Sequence, residues 1–146
     1  MSGLESHDAG DLQAFFAGDH RACDALWAEV EGRDGSDLAK DRAVLSVFDA
    51  ALRRHLGWEE EVLFPAFEAA TGMTRGPTAV MRMEHVQMRG VLDQMARAAD
   101  WSEVLDQGDT LMMLIGQHNM KEEGMLYPMC DAHLAGQWPG LRLRLG

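Results

Sequence analysis

The stretch His55-Leu56-Gly57-Trp58-Glu59-Glu60-Glu61-Val62-Leu63-Phe64-Pro65 returns 63 positions later as His118-Asn119-Met120-Lys121-Glu122-Glu123-Gly124-Met125-Leu126-Tyr127-Pro128. Both copies read H-x3-E-E-x2-L-[FY]-P. A His and a Glu four residues apart lie on one face of a helix. Neither belongs in an apolar face unless something pairs with it, and a metal ion satisfies both at once. Two copies of the pair predict two half-sites that face each other.

Working outward, helical spacing dominates and strand-type alternation is nearly absent. The first helix is expected over about 8–31, with Leu12, Phe16, His20, Cys23, Trp27 and Val30 on its apolar stripe. Gly32 to Ser36 ends it, and Ser36 or Asp37 can cap the next. The second is expected over about 37–70, its stripe running from Leu38 through Leu45, Phe48, Leu52, His55, Glu59 and Val62 to Ala66. Pro65 falls inside it and should bend it or delete a backbone bond. The third is expected over about 78–98, with Met81, His85, Met88, Leu92 and Met95 on one face, and Ser102 suits the cap that follows. The fourth is expected over about 103–132, with Leu111, Leu114, His118, Glu122, Met125 and Met129 inward. The arm from Trp138 to Gly146 is not clearly helical and is expected to pack as an arm or lie partly loose. The fold class predicted is all-α, an antiparallel up-and-down four-helix bundle, forming a single domain over 1–146.

One histidine falls near the middle of each helix: His20, His55, His85 and His118. In an antiparallel bundle, mid-helix residues meet at one level. Four imidazoles with Glu59 and Glu122 would then converge inside. The repeat also relates Asp19-His20 to Glu84-His85, so the chain reads as two helical hairpins about a pseudo-twofold axis. Such symmetry suits two neighbouring ions with the two Glu as bridges. Imidazole and carboxylate without thiolate suit iron, manganese or zinc. A closed structural zinc site holds four ligands and often Cys. The ferritin-like di-iron pattern is Glu-x-x-His, whereas here His precedes Glu by four.

The chain has 146 residues, 47 % of them apolar, enough for a real core. Its net charge of -11 argues against a nucleic-acid backbone or an anionic membrane as partner. Cys23 and Cys130 form no CxxC, which fits a reducing compartment. The segment Met1–Asp8 lacks the apolar core of a secretory signal, and no apolar run approaches the roughly 20 residues of a membrane span. A cytoplasmic protein is expected.

The doubled motif, with two lone histidines in alternation, resembles the hemerythrin-like, or HHE cation-binding, domain over essentially all four helices. That resemblance implies a non-haem di-iron centre in a four-helix bundle. His20, His55, His85 and His118 would be terminal ligands and Glu59 and Glu122 would bridge. Oxygen-carrying members have a second His one turn after the third-helix His, and a bridging Asp after the fourth. Here those positions hold Arg89 and Glu122. The resemblance therefore points to a more open di-iron site, with about two positions per iron for water, an oxo bridge or a small ligand.

Asp24, four after His20, is expected to ligate one iron, to pair with Arg89, or to be a solvated charge. Cys23 faces inward and Tyr127 is read as packing. Glu60 and Glu123 are either acceptors for His N–H groups or solvated, and His7 and His133 are read as surface. The functions that remain open are a di-iron protein binding or sensing O2 or a related small oxidant, or buffering iron, and a di-iron oxidoreductase. The oxidoreductase would act on peroxide, nitric oxide or O2, or donate iron to damaged centres. A phosphoacceptor histidine within His118–Lys121 would leave the other three His and both Glu unexplained.

Overall fold

The computed structural model describes residues 10–146, and among them every regular element is helical. The expected helix start at Asp8, and His7, lie outside the described residues. α1 spans Asp11–Glu31. α2 spans Leu38–Trp58 and continues through a π turn, Glu59–Leu63, into α3, Phe64–Thr71. α4 spans Pro77–Arg97. α5 spans Trp101–Lys121 and continues through a second π turn, Glu122–Leu126, into α6, Tyr127–Leu134. These make four long helical rods.

Local chemistry sets the ends. The Asp37 carboxylate accepts from the Lys40 backbone N–H and caps α2. Asp100, not Ser102, caps α5, accepting from the Glu103 N–H at 2.9 Å, because the helix already begins at Trp101. Gly72, at φ 73°, ends α3 in the left-handed region that glycine enters at no steric cost. Pro77 opens α4, where a missing N–H costs nothing.

The two π turns correct the expected stripes. Phe64 N–H bonds to the Glu59 carbonyl and Tyr127 N–H to the Glu122 carbonyl, five residues back in each case. The next residue in each copy is proline, which has no N–H and whose ring would crowd the carbonyl four back in a regular helix. The wider turn accommodates it and adds one residue to the phase. Beyond it the buried positions are Leu63, Phe64 and Phe67, while Ala66 is only half-buried. In the second copy they are Leu126, Tyr127 and Cys130, while Met125 is exposed and Met129 half-buried. Before the π turns, Leu38 is exposed at the start of α2, and Ile115 takes the buried place expected of Leu114. On α1 and α4 the expected stripes are buried throughout.

The C-terminal arm is also helical. After a short turn, α7 spans Trp138–Leu143, and Trp138, Leu141 and Leu145 are buried. Their steps of three and four give a helical stripe, and Trp138 packs 5.5 Å from Phe15.

The core divides into two apolar clusters. One gathers around Phe16, Phe64, Phe67 and Trp138, the other around Trp27, Phe48, Leu92 and Trp101. Each rod passes from one to the other through a polar layer: Phe16–His20–Trp27 on α1, and Met81–His85–Met88 on α4. Four histidines and two glutamates are thus held in a buried layer closed above and below by hydrocarbon. Among the described residues no helix is long and apolar enough to cross a membrane.

Candidate metal centre

His20, His55, His85, His118, Glu59 and Glu122 all lie in that layer, each no more than 3 % exposed. They form two groups of four, His20–His55–Glu59–Glu122 and His85–His118–Glu59–Glu122, and the ligand atoms within each lie within 4.8 Å of one another. Both groups share both glutamates.

Every imidazole is held from behind. His20 Nδ1 lies 2.6 Å from Glu123 and His85 Nδ1 2.7 Å from Glu60. His55 Nδ1 lies 2.8 Å from Asp19 and His118 Nδ1 2.8 Å from Glu84. A carboxylate at Nδ1 holds a proton there and aims Nε2 inward, the arrangement that orients ligating histidines. The four pairings obey the repeat: Glu60 answers Glu123 and Asp19 answers Glu84. Three of these carboxylates also hold a cation: Arg21 on Glu123, Arg89 on Glu60 and Lys121 on Glu84. Arg21 pulls Glu123 down to about 2. Burial would raise Glu60 and Glu84, but Arg89 and His85, and Lys121 and His118, hold both below the usual carboxylate range.

The inner carboxylates act on the imidazoles beside them. Burial alone would lower His55, yet Glu59 and Asp19 raise it to about 10. His118 is raised in the same way, Glu122 overcoming burial. His55 and His118 are therefore held toward their charged forms by the carboxylates around them. Glu59 Oε1 and Glu122 Oε2 are buried without a hydrogen-bond partner. They lie 3.1 Å from His85 Nε2 and 3.0 Å from His118 Nε2, close but misaligned for hydrogen bonds. Nitrogen and oxygen donors converging on unspent carboxylate oxygens fit a divalent cation.

The family model of the Hemerythrin HHE cation binding domain matches residues 11–130, which spans all four rods. The chain belongs to the hemerythrin HHE cation-binding domain family. No curated protein and no solved structure matches it. Cation binding by this HHE domain thus has a family basis as well as a geometric one.

Two expectations about this HHE domain change. Tyr127 is a site residue, not only a packing one: its hydroxyl lies 2.5 Å from Glu59 Oε2 and 2.8 Å from Glu122 Oε1. Burial and these two carboxylates raise its phenol well above the usual value. The π turn explains the error, because it brings the residue five after each Glu onto the site face. Arg89 pairs with Glu60 at 2.5 Å, not with Asp24. Asp24 is exposed and lies outside both four-donor groups. It borders a small cavity of about 10 Å³ with His20, His55, His118, Leu52 and Ile115, room for roughly one water-sized molecule.

Glu60 and Glu123 do act as acceptors for His N–H groups. Asp19 and Glu84, each one residue before a site histidine, hold the histidine of the neighbouring helix, a role that spacing did not reveal. The doubled acidic-His dipeptide was its only signal.

Proposed function

We propose that this chain is a non-haem di-iron protein that binds or senses O2 or a related small oxidant. Each iron would take two histidines, His20 with His55 and His85 with His118, while Glu59 and Glu122 bridge. The observation that carries this reading is the sharing of both glutamates by two four-donor groups. An octahedral ion takes about six ligands, which leaves positions for a small ligand or an oxo bridge. Bound iron would supply the redox and ligand-binding chemistry. The chain's own residues do the rest. Four outer carboxylates fix the imidazoles, two apolar clusters flank the layer, and a small cavity of about 10 Å³ borders His20, His55 and His118.

The reading takes the four rods as an antiparallel up-and-down bundle in a single domain. Contact pairs that run in opposite senses support it: Phe16 meets His55, while Trp27 meets Phe48. Nucleic acid and membrane are not partners in this reading, and the compartment is the cytoplasm, where both cysteines stay as free thiols.

A second reading has one observation in its favour. Tyr127 places an O–H 2.5 Å from Glu59, a hydrogen-bond donor among the site's own carboxylates. It favours an oxidoreductase acting on peroxide, nitric oxide or O2 over an iron buffer or donor. The test is anaerobic loading with ferrous iron, then optical spectra on adding O2, peroxide or nitric oxide. An absorption band that appears with O2 and reverses on degassing supports binding or sensing. Rapid consumption of peroxide would replace it with the enzyme.

A further inference from the structure

We propose that the two four-donor groups take up cations unequally and that Tyr127 sets the difference, an inference that rests on the di-metal reading above. The repeat makes the protein halves nearly equivalent, but it places Tyr127 where the other copy has Phe64. The Tyr127 hydroxyl touches every member of one group. It lies 2.5 Å from Glu59, 2.8 Å from Glu122, 3.1 Å from His20 Nε2 and 3.4 Å from His55 Nε2. This phenol sits among the four donors and spends its proton on their carboxylates.

The other group has no such occupant. Phe64 stacks on His85, ring centroids 5.6 Å apart, and offers no polar atom. The two carboxylate oxygens that lack hydrogen-bond partners, Glu59 Oε1 and Glu122 Oε2, both lie on this side, beside His85 and His118. One half-site thus has a fifth polar group among its donors, and the other holds only its own imidazoles and carboxylates. A cation entering beside His85 and His118 parts their Nε2 atoms, 3.3 Å from each other, but displaces no residue from outside the four donors. A cation entering beside His20 and His55 must take the phenol off two carboxylates. A hydrogen bond to a charged group accounts for about tenfold or more in an equilibrium. The tight site is the His85–His118 half, and the His20–His55 half fills second.

The test is uptake of ferrous iron by the metal-free chain under anaerobic conditions, followed by calorimetry, with circular dichroism to check the fold of each variant. The wild type is expected to show two steps, the first about tenfold or more tighter. Tyr127→Phe should strengthen the weak step and bring the two within about threefold. Phe64→Tyr should weaken the tight step. His85→Ala should abolish the tight step, whereas His55→Ala should leave it. Two equal steps in the wild type, or a gap unchanged by Tyr127→Phe, would overturn the inference. If one ion binds the wild type and a second appears only in Tyr127→Phe, the inference stands and the di-metal reading of the native chain falls. No uptake by any form would overturn both.

Discussion

Arg89 Nη1 lies 2.5 Å from Glu60 Oε2, the same oxygen that His85 Nδ1 approaches to 2.7 Å. An arginine therefore stands behind a carboxylate that stands behind a histidine. It occupies the position where oxygen-carrying relatives of this family supply a further ligand, and serves the site from outside instead. Removing such an outer carboxylate commonly costs about 10–100-fold in metal affinity. Glu60→Ala is expected to fall in that range, by calorimetric metal uptake. Arg89→Leu leaves the His85–Glu60 hydrogen bond in place and should cost less. A larger loss for Arg89→Leu than for Glu60→Ala would invert the order of the relay.

Cation binding should be visible as stability. The layer buries two carboxylates among four imidazoles, and Glu59 and Glu122 are fully enclosed. An ion that binds only the folded chain at one hundred times its Kd adds about 2.7 kcal/mol. For a domain of this size each kcal/mol moves Tm by about 2–4 °C, so each ion should raise it by roughly 5–10 °C. A chelator should reverse the rise. The double variant Glu59→Gln with Glu122→Gln should fold and show no metal-dependent change, since both shared ligands are gone. A rise that survives in that variant would place the cation elsewhere.

Cys23 lines the small cavity, and burial together with Asp19 and Asp24 pushes its thiol up to about 12. Cys130 is raised as well, chiefly by burial. The thiolate is the reactive form, and a raised pKa leaves little of it at neutral or mildly alkaline pH. Both thiols should resist alkylation by iodoacetamide at pH 8 in the folded chain and react together once it is unfolded. The rate at Cys23 should climb only as pH approaches the raised value. Rapid modification of Cys23 alone in the native protein would instead mark it as redox-active.

The residues of the layer were legible because each signal was local. His–Glu spacing on one helix, doubled at a fixed offset, names four of the side chains that converge, and the lone mid-helix histidines His20 and His85 add two. Glu60 and Glu123 were legible for the same reason, as neighbours of the motif. Asp19 and Glu84 were not, since each serves the histidine of another helix, and that pairing exists only after the rods have packed. Tyr127 was misread because its place depends on the phase change at the π turn. That change comes from Pro128 acting on a backbone already committed to helix by its tertiary contacts, and regular helical spacing cannot express it. The same error placed the expected core at Met125, where the buried residue is Leu126. The C-terminal helix was missed because its stripe, Trp138, Leu141 and Leu145, is too short to stand out until it finds Phe15 and Phe16 to cover.

Packing remote from the layer offers an independent check on the fold. Trp27 lies two turns beyond His20 on α1 and meets α5 at Gly108. A Cβ built at Gly108 would fall 2.0 Å from Trp27 Cη2 and 2.5 Å from Cζ2, far inside contact distance. Trp27 is buried and packs on Phe48 at 5.2 Å, so its ring has little freedom to retreat. Gly108→Ala gains about 1 kcal/mol of helix propensity but should cost about 1–3 kcal/mol in overpacking. A net destabilisation of up to about 2 kcal/mol in urea unfolding is expected from those opposing effects. Trp27→Leu opens the space, so in that background Gly108→Ala should become neutral or stabilising. The sign reversal in the double-mutant cycle identifies the ring as the obstacle. Metal stoichiometry should be unchanged throughout, because neither residue touches the histidine layer. If Gly108→Ala were equally harmful with and without Trp27, the contact between α1 and α5 at this position would be wrongly placed.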